Sequence, residues 1–291
     1  LFIEGNLPTG HRQTVRTGLP SVFWKILNAG VQPSKSLTAQ VDEQCGMMEA
    51  WSEVDKDIAE LNGDLNAFRL SEASSFIEAM SQEAASTIIY GNGTVSPEEF
   101  TGLAIRYGDL SAANSQNILD AAGTGSDNTS IYLVVWGEQT VCGLFPKGTK
   151  AGLEHENLGL VTVQTTTGIA GSRMRAYQDR FHWKLGITLK DHRYVVRICN
   201  IDVSNLVAES SNADLIKFMI KAIHRIPNIN MGKAVFYMNR TCFEFLDIQR
   251  HNAVAGAGMT YSEVDGKSVP NFRGITIGTV DALLETEARV V

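Results

Sequence analysis

The sequence predicts an α+β fold, and three observations support this. Apolar side chains recur at helical spacing over residues 72–90, which predicts one long amphipathic helix. Two other segments, 12–55 and 177–203, show the alternation of apolar and polar residues that is typical of strands. The chain has 291 residues, of which 44% are hydrophobic. That is enough to build one large domain or two modest ones.

The first 55 residues carry large apolar side chains without an evident local core. Residues 1–11 are predicted to form an irregular arm, because glycine and proline interrupt them at positions 5, 8 and 10. Residues 12–55 are predicted to form a long hairpin loop, with turn residues at 28–30 and 33–35. A two-stranded ribbon alone is marginally stable in water, so we expect its apolar groups to be buried against another part of the chain or another chain. The candidate contacts between subunits are Val22, Phe23, Trp24, Ile26, Leu37, Val41 and Trp51.

The middle of the chain predicts mainly helices. Helix 72–90 is expected to begin after Ser71, a good N-cap, and to end at Gly91 in a left-handed conformation. The stretch Ser96-Pro-Glu-Glu99 matches a capping box and predicts a short helix. Residues 111–119 are predicted to be helical as well.

The second half of the chain predicts alternating strands and helices. Strands are expected at 131–136 and 140–145, and a long antiparallel pair at 177–189 and 193–203, joined by a turn at 190–192. A helix over 211–226 would be capped by Ser211, and a helix over 239–250 by Asn239. Further strands are expected at 234–238 and 274–278.

The sequence nominates no catalytic group, cofactor site or metal site. The six histidines and four cysteines lack the spacing of metal ligands, and no nucleophile motif or phosphate-binding loop is complete. The cysteines are interpreted as small buried side chains in a reducing compartment. The formal net charge is -7 and the basic residues are scattered, which argues against a sequence-reading nucleic-acid protein. No apolar run approaches the length of a membrane span.

Several stretches resemble one family of viral proteins. They are Leu7-Pro-Thr-Gly10 with Arg16-Thr-Gly-Leu-Pro-Ser-Val22, Ser96-Pro-Glu-Glu-Phe-Thr-Gly-Leu103, Tyr177-Gln-Asp-Arg-Phe-His-Trp183, Val196-Arg-Ile-Cys-Asn-Ile201, Phe272-Arg-Gly-Ile-Thr-Ile277 and Val280-Asp-Ala-Leu-Leu284. With the order of the predicted elements, they make the chain similar to the major capsid proteins of tailed bacteriophages, which have the Hong Kong 97-like fold. The resemblance is strongest to the head proteins of short-tailed phages related to epsilon-fifteen.

The resemblance implies a role for each part of the chain. The implied parts are an N-terminal arm (1–11), an extended loop lying over a neighbouring subunit (12–55), a peripheral domain (56–124) with a spine helix (72–90), a mostly axial domain (125–280), and a C-terminal segment returning to the peripheral domain (281–291).

The implied function is structural rather than enzymatic. The chain would self-assemble through hexamers and pentamers into the icosahedral shell around a double-stranded DNA genome, in the cytoplasm of a host bacterium. The implied partners are copies of itself, scaffolding, portal and decoration proteins, and packaged DNA bound without sequence specificity, with no membrane and no cofactor. The alternatives are an encapsulin-like compartment shell, a tail-tube or other virion protein, and a soluble α/β enzyme.

Overall fold

The computed structural model describes residues 1–61, 63–164, 171–207, 214–252, 259–264 and 267–291. These residues form an α+β architecture in which β-sheet predominates. The strands are β1 (Phe2–Glu4), β2 (Gly10–Gly18), β3 (Leu37–Asp55), β4 (Ile118–Asp120), β5 (Asn128–Trp136), β6 (Val141–Phe145), β7 (Leu153–Gln164), β8 (Arg173–Leu189), β9 (Val195–Asp202), β10 (Lys233–Met238), β11 (Met259–Val264), β12 (Lys267–Phe272) and β13 (Ile275–Thr279). The helices are α1 (Lys56–Glu60), α2 (Leu65–Tyr90), α3 (Leu103–Arg106), α4 (Val203–Val207), α5 (Leu215–Arg225) and α6 (Arg240–Asn252).

One connected sheet runs through the described part of the chain. Its main path is β11-β12-β13-β10-β5-β6-β8-β3-β2, and β7 pairs with β8 beside this path. Strand β9 pairs with β5 and with β4, while β1 pairs with β6. The order places the hairpin β2–β3 at one end of the path and the β10–β13 group at the other.

Two apolar cores lie on opposite faces of strand β5. Successive side chains of a strand point to opposite faces, so Ile131 and Leu133 enter one core while Tyr132 and Val134 enter the other. The first core packs β5, β9, β10 and β13 against α5 and α6. The second packs β5, β6 and β8 against α2 and α3. The sequence therefore builds two packing units that share one sheet.

Helix α2 is longer than predicted. It begins at Leu65, where the carboxylate of Asp64 accepts a hydrogen bond from the backbone N–H of Ala67 (3.0 Å). Its first turns bury few side chains, so apolar spacing could not reveal them and the predicted start after Ser71 was wrong. In the middle of the helix Phe76 stacks on Phe181 of β8, with ring centroids 5.5 Å apart.

The predicted left-handed stop at Gly91 was also wrong. Gly91 has φ -48°, which any residue can adopt. Glycine is required there for space, because an added Cβ would lie 2.5 Å from the carbonyl oxygen of Thr87 and would overlap that of Phe100. The end of α2 is thus fixed by the close approach of the segment that follows it.

Two local predictions were wrong at the level of element type, and one short helix begins later than predicted. The arm is not irregular throughout, because Phe2–Glu4 forms strand β1 beside β6, with Phe2 opposite Gly143. The short helix predicted after the capping box at Ser96 is present, but it begins later, at Leu103, and ends at Arg106. The predicted helix at 111–119 is one 3₁₀ turn, Ser115–Asn117, followed by strand β4.

The predicted pairing of the segments 177–189 and 193–203 was wrong as well. Both are strands, but β8 pairs with β3, β6 and β7, whereas β9 pairs with β4 and β5. The 3₁₀ turn His192–Tyr194 carries the chain away from β8. All of β9 is buried, which identifies it as a central strand of the sheet and not as one arm of a hairpin with a polar face.

Other elements were predicted correctly. Strands β5, β6, β10 and β13 lie at the predicted positions, and the Asn239 side chain caps α6 by accepting from the N–H of Cys242 (2.7 Å). Helix α5 begins after Asp214, whose carboxylate accepts from the N–H of Lys217 (2.9 Å). The predicted cap Ser211 lies outside the described residues.

The C-terminal segment after β13 is held by a buried ion pair. The guanidinium of Arg197 donates to Glu287 (2.8 Å), and both side chains are about 5% exposed or less. Tyr90, the last residue of α2, donates its hydroxyl to the same carboxylate (2.5 Å). The backbone N–H of Val290 donates to Asn200 of β9 (2.8 Å). These contacts tie the end of the chain to both α2 and the sheet.

Candidate assembly surface

The hairpin β2–β3 ends in a segment that lies outside the ladder. The two strands pair from Gly10 opposite Gln44 to Gly18 opposite Leu37. Strand β2 thus ends earlier than predicted, and Val22, Trp24 and Ile26 do not belong to it. We call residues 19–36 the hairpin tip. The hydrogen bonds found for the tip stay within it, as in the bond from the Ser34 hydroxyl to the carbonyl oxygen of Ser21 (2.7 Å).

The hairpin tip exposes almost all of its apolar side chains. Four of the seven candidate contacts lie here, and Trp24 is fully exposed while Val22 is 88% exposed. The same surface includes Leu19 and Leu27, at 80% and 93%, which the sequence-based choice of contacts omitted. Leu27 belongs to the same apolar run as Trp24, and this continuity was the signal that could have identified it. The remaining exposed candidates in the tip are Phe23 and Ile26.

The other three candidates lie on β3, and they differ in their exposure and in their distance from the hairpin tip. Leu37 is exposed at the root of the tip, and Val41 is at the edge of exposure. Trp51 lies fourteen residues beyond Leu37 on β3, about 45 Å from it at the usual rise per residue. Its indole N–H donates to Glu49 (2.6 Å) and the guanidinium of Arg180 lies 5.6 Å from its ring centroid. Trp51 is therefore already partnered on one side by its own chain.

The other end of the hairpin, which we call the hairpin base, is fastened to its own chain by buried polar groups. Glu43 of β3, whose side chain is 5% exposed, accepts two hydrogen bonds from the guanidinium of Arg106 (2.8 and 2.5 Å). Gln13 of β2 donates to the carbonyl oxygen of Leu189 (3.0 Å). From Cys45 onwards β3 pairs with β8. The base is thus an integral part of the subunit fold.

The hairpin tip differs in charge from the rest of the chain. It contains Lys25 and Lys35 and no acidic residue, whereas the whole chain has a formal charge of -7. An exposed segment that combines large apolar groups with positive charge is suited to a surface that offers an apolar floor and carboxylates.

The described part of the chain contains few groups suited to binding a metal ion or to catalysis. Among the described residues, no three His, Cys, Asp or Glu side chains are placed to hold a metal ion. The cysteines there are all free thiols. Burial, with Glu43 as a second cause, raises the pKa of Cys45 to about 11, so this thiol stays protonated at neutral pH. None of the helices described has the length and apolar character required to cross a bilayer.

Comparison with known families identifies the chain. A family model described as major capsid protein GP7 matches residues 1–291. The chain belongs to the major capsid protein GP7 family. Its members are phage head proteins, so the chain is a structural protein of the phage head shell. No curated protein matches it.

Solved structures place this GP7 family member among phage capsids. The chain is similar to a near-atomic structure of bacteriophage Epsilon15, with 34% identity and a TM-score of 0.73, covering 100% of this chain and 87% of that one. It also shares the fold of the capsid of bacteriophage JBD30, with 9% identity, a TM-score of 0.50, and 97% and 88% of the two chains covered. The family match and the likeness to the Epsilon15 structure favour the phage shell over an encapsulin-like compartment or a soluble α/β enzyme.

Proposed function

We propose that the hairpin β2–β3 is the extended loop with which one capsid subunit holds its neighbour in an icosahedral shell of hexamers and pentamers. The observation that carries the proposal is the hairpin tip, where Val22, Trp24 and Leu27 are at least 88% exposed in the isolated chain. Exposed apolar surface of this extent marks a contact that another molecule completes. In a closed shell the same modest contact recurs at every subunit, so a small contribution is multiplied.

The remaining parts of the chain fit the capsid roles as proposals. Residues 1–11 are assigned as the N-terminal arm, 12–55 as the extended loop, 56–124 as the peripheral domain, 125–280 mostly as the axial domain, and 281–291 as the segment that returns to the peripheral domain. The spine helix is revised to Leu65–Tyr90. The two cores support a division into two units, and the bond between Tyr90 and Glu287 supports the return of the C-terminal segment.

The partners follow from the same role. We propose scaffolding, portal and decoration proteins as partners, with assembly in the host bacterial cytoplasm. The shell encloses double-stranded DNA, and its inner face contacts that DNA without sequence specificity. The formal charge of -7 supports this, because DNA phosphates are held mainly by Lys and Arg, and an acidic wall holds them weakly.

Substitution of Trp24 tests the extended-loop assignment. Trp24→Ala removes a side chain that touches nothing in its own chain, so the unfolding free energy of the unassembled subunit should change by less than about 0.5 kcal/mol. Each contact between subunits should weaken by about 2 kcal/mol or more, since tryptophan is a frequent hot-spot residue. Sedimentation velocity and electron microscopy should show a loss of closed shells.

The control is Gln32→Ala, which changes an exposed polar side chain of the same tip and should assemble as the wild type does. Normal shells from Trp24→Ala would remove the support for the assignment. Global unfolding of that variant would instead place the tryptophan in the subunit's own core.

A further inference from the structure

An apolar cavity, which we call the outer cavity, lies between the end of helix α2 and the sheet. Its volume is about 440 Å³, within the range of small-molecule sites. Ile88 of α2, Trp136 of β5 and Ile187 of β8 contribute to its walls. Val235 and Tyr237 of β10 do so as well, because alternate residues of a strand share one face.

The outer cavity lies where two parts of the sheet separate. The register of β5 with β6 includes one pair in the described part of the chain, Trp136 opposite Val141. Strand β6 otherwise pairs with β8 and β1. On the β1 side the ring of Phe2 lies over Gly143, where an added Cβ would be 2.6 Å from it. The space therefore arises from the topology of the sheet.

A second cavity, the inner cavity, adjoins the first under helix α2. Its volume is about 180 Å³, and Ile88, Trp136 and Tyr237 line both cavities. Ala85 and Leu103 are further parts of its wall, and none of the described residues that line it is charged. An apolar cavity of about 150 Å³ in another protein stays dry and takes up benzene. The inner cavity is therefore suited to hydrocarbon.

Water is a poor occupant of the two cavities. A buried water molecule makes about three hydrogen bonds to polar groups around it. The polar atoms of the two shared aromatic side chains bond each other, since Nε1 of Trp136 donates to the hydroxyl of Tyr237 (2.8 Å). The hydroxyl of Tyr132, in the wall of the inner cavity, has no partner among the described residues, but one group does not hold a water molecule. An apolar occupant would instead supply the dispersion contacts that an empty space lacks.

The outer cavity has one charged side chain among the described residues of its lining. This is Lys233, which is exposed and shares its face of β10 with Val235 and Tyr237. No ion pair found among the described residues includes it. An ammonium group forms strong charge-assisted hydrogen bonds with carboxylates. Apolar space that ends at an unpaired ammonium group fits a molecule with one hydrocarbon chain and one anionic head.

We propose that the subunit binds a single-chain fatty acid anion, with its carboxylate at Lys233 and its hydrocarbon chain passing Trp136 into the inner cavity. The site lies within one subunit and does not depend on the function proposed for the hairpin. A bound chain would contact α2, β5, β8 and β10 together, so binding would stabilise the folded subunit.

A chain-length series tests the class of ligand. The unassembled subunit is titrated with octanoate, decanoate and dodecanoate by calorimetry, at concentrations below micelle formation. The affinity should rise about fourfold for each added methylene, because each becomes buried in the apolar space. Absence of saturable binding, or an affinity that does not depend on chain length, would overturn the proposal.

Quenching of tryptophan fluorescence locates the bound chain. Dodecanoate brominated near its methyl end should quench Trp136, since bromine quenches an indole that it touches. Trp136→Phe should keep the affinity within about threefold and lose this quenching. The control is Trp24→Phe, which changes the exposed hairpin tip and should leave the quenching as in the wild type. Quenching that persists in Trp136→Phe and disappears in Trp24→Phe would place the ligand on the tip and overturn the site.

Filling the inner cavity separates it from the outer one. Ala85→Leu should lower the affinity for dodecanoate about tenfold or more, because several buried methylenes lose their space, and should change that for octanoate less than threefold. The matched control is Ala79→Leu on the exposed face of the same helix, which should bind both as the wild type does. Equal chain-length dependence in all three proteins would contradict the passage of the chain into the inner cavity.

The charge of Lys233 is tested with two ligands of equal chain length. Lys233→Ala should weaken dodecanoate binding by up to about fivefold, as expected for an exposed ion pair, and should leave dodecanol binding unchanged. The control is Lys217→Ala, since Lys217 is exposed on α5, which packs on the opposite face of the sheet. An equal loss for both ligands, or no loss for dodecanoate, would show that Lys233 does not hold the carboxylate.

Discussion

The two ends of the hairpin β2–β3 reverse the usual distribution of polar and apolar groups. At the base, the side chains of Gln13 and Glu43 are buried and bonded, the latter to Arg106. At the tip, Trp24 and its apolar neighbours are exposed. Buried carboxylates are tolerated only when paired, and exposed apolar groups are stabilised only when covered. The contacts of the base are therefore made within one subunit, whereas the function proposed for the tip requires another subunit to cover it. On that proposal, changes at the base should affect folding and changes at the tip should affect assembly.

The largest effect on folding should come from the buried ion pair of the base. Glu43→Ala leaves the guanidinium of Arg106 without its partner, and removing one member of a buried pair costs about 3–5 kcal/mol. Urea unfolding of the unassembled subunit measures the loss. The matched control is Asp42→Ala on the same strand, whose pairing with Arg12 is exposed, and its unfolding midpoint should stay at the wild-type value. Equal effects of the two variants would show that the base is not fixed by Glu43.

A pair of glycines gives an intermediate effect and compares the two ends directly. A Cβ at Gly10 would overlap the carbonyl oxygen of Glu43, so Gly10→Ala should destabilise the subunit by about 1–3 kcal/mol. Gly30 in the tip has no neighbour within 4 Å, and its φ lies outside the left-handed region. Gly30→Ala should therefore leave the unfolding free energy unchanged or raise it by up to about 1 kcal/mol. If Gly30→Ala were as damaging as Gly10→Ala, the tip would be part of the subunit's own packing.

The smallest effect concerns pH. Burial, with Lys190 as a second cause, lowers the pKa of His11 at the base below its ordinary value of about 6.5. The unfolded chain therefore binds a proton at a pH where the folded chain does not. Protonation of His11 therefore does not reduce the free energy of unfolding above about pH 6.5. The free energy of unfolding decreases as the pH falls from there through the folded-state pKa.

His11→Gln tests this dependence, because glutamine does not titrate. The urea midpoint of the wild type should fall more between pH 8 and pH 5 than that of the variant, while the two should have parallel profiles above pH 7. Identical profiles over the whole range would show that the burial of His11 is not linked to folding. The tip contains no histidine, so its exposure should not contribute to this pH dependence.

Predictions from local pattern succeeded where one segment carries the whole signal. The periodicity of residues 72–90 is visible in the sequence, and the extra turns from Leu65 were missed because they bury little. The Asn239 cap was predicted because its hydrogen bond is made three residues away. The prediction that β8 pairs with β9 was wrong. The partner of a strand depends on packing across the sheet, which a short turn between two strands does not reveal.

The candidate contacts were predicted in part for the same reason. Composition alone identified Val22, Phe23, Trp24 and Ile26 as apolar groups without a local core, and the structure places all four on the exposed tip. Trp51 has the same composition signal, yet Arg180 lies against it.

The sequence by itself determined the class of fold, the position of the long helix, most strands, and the excess of apolar residues near the N-terminus. These features depend on the periodicity and the composition of short segments, which are properties of residues close together in the chain. The tertiary structure alone decided which strands pair, where the ladder of the hairpin ends, and which of its side chains are buried in the subunit. Those outcomes depend on contacts between residues far apart in the chain, and their energies exist only once the sheet has assembled.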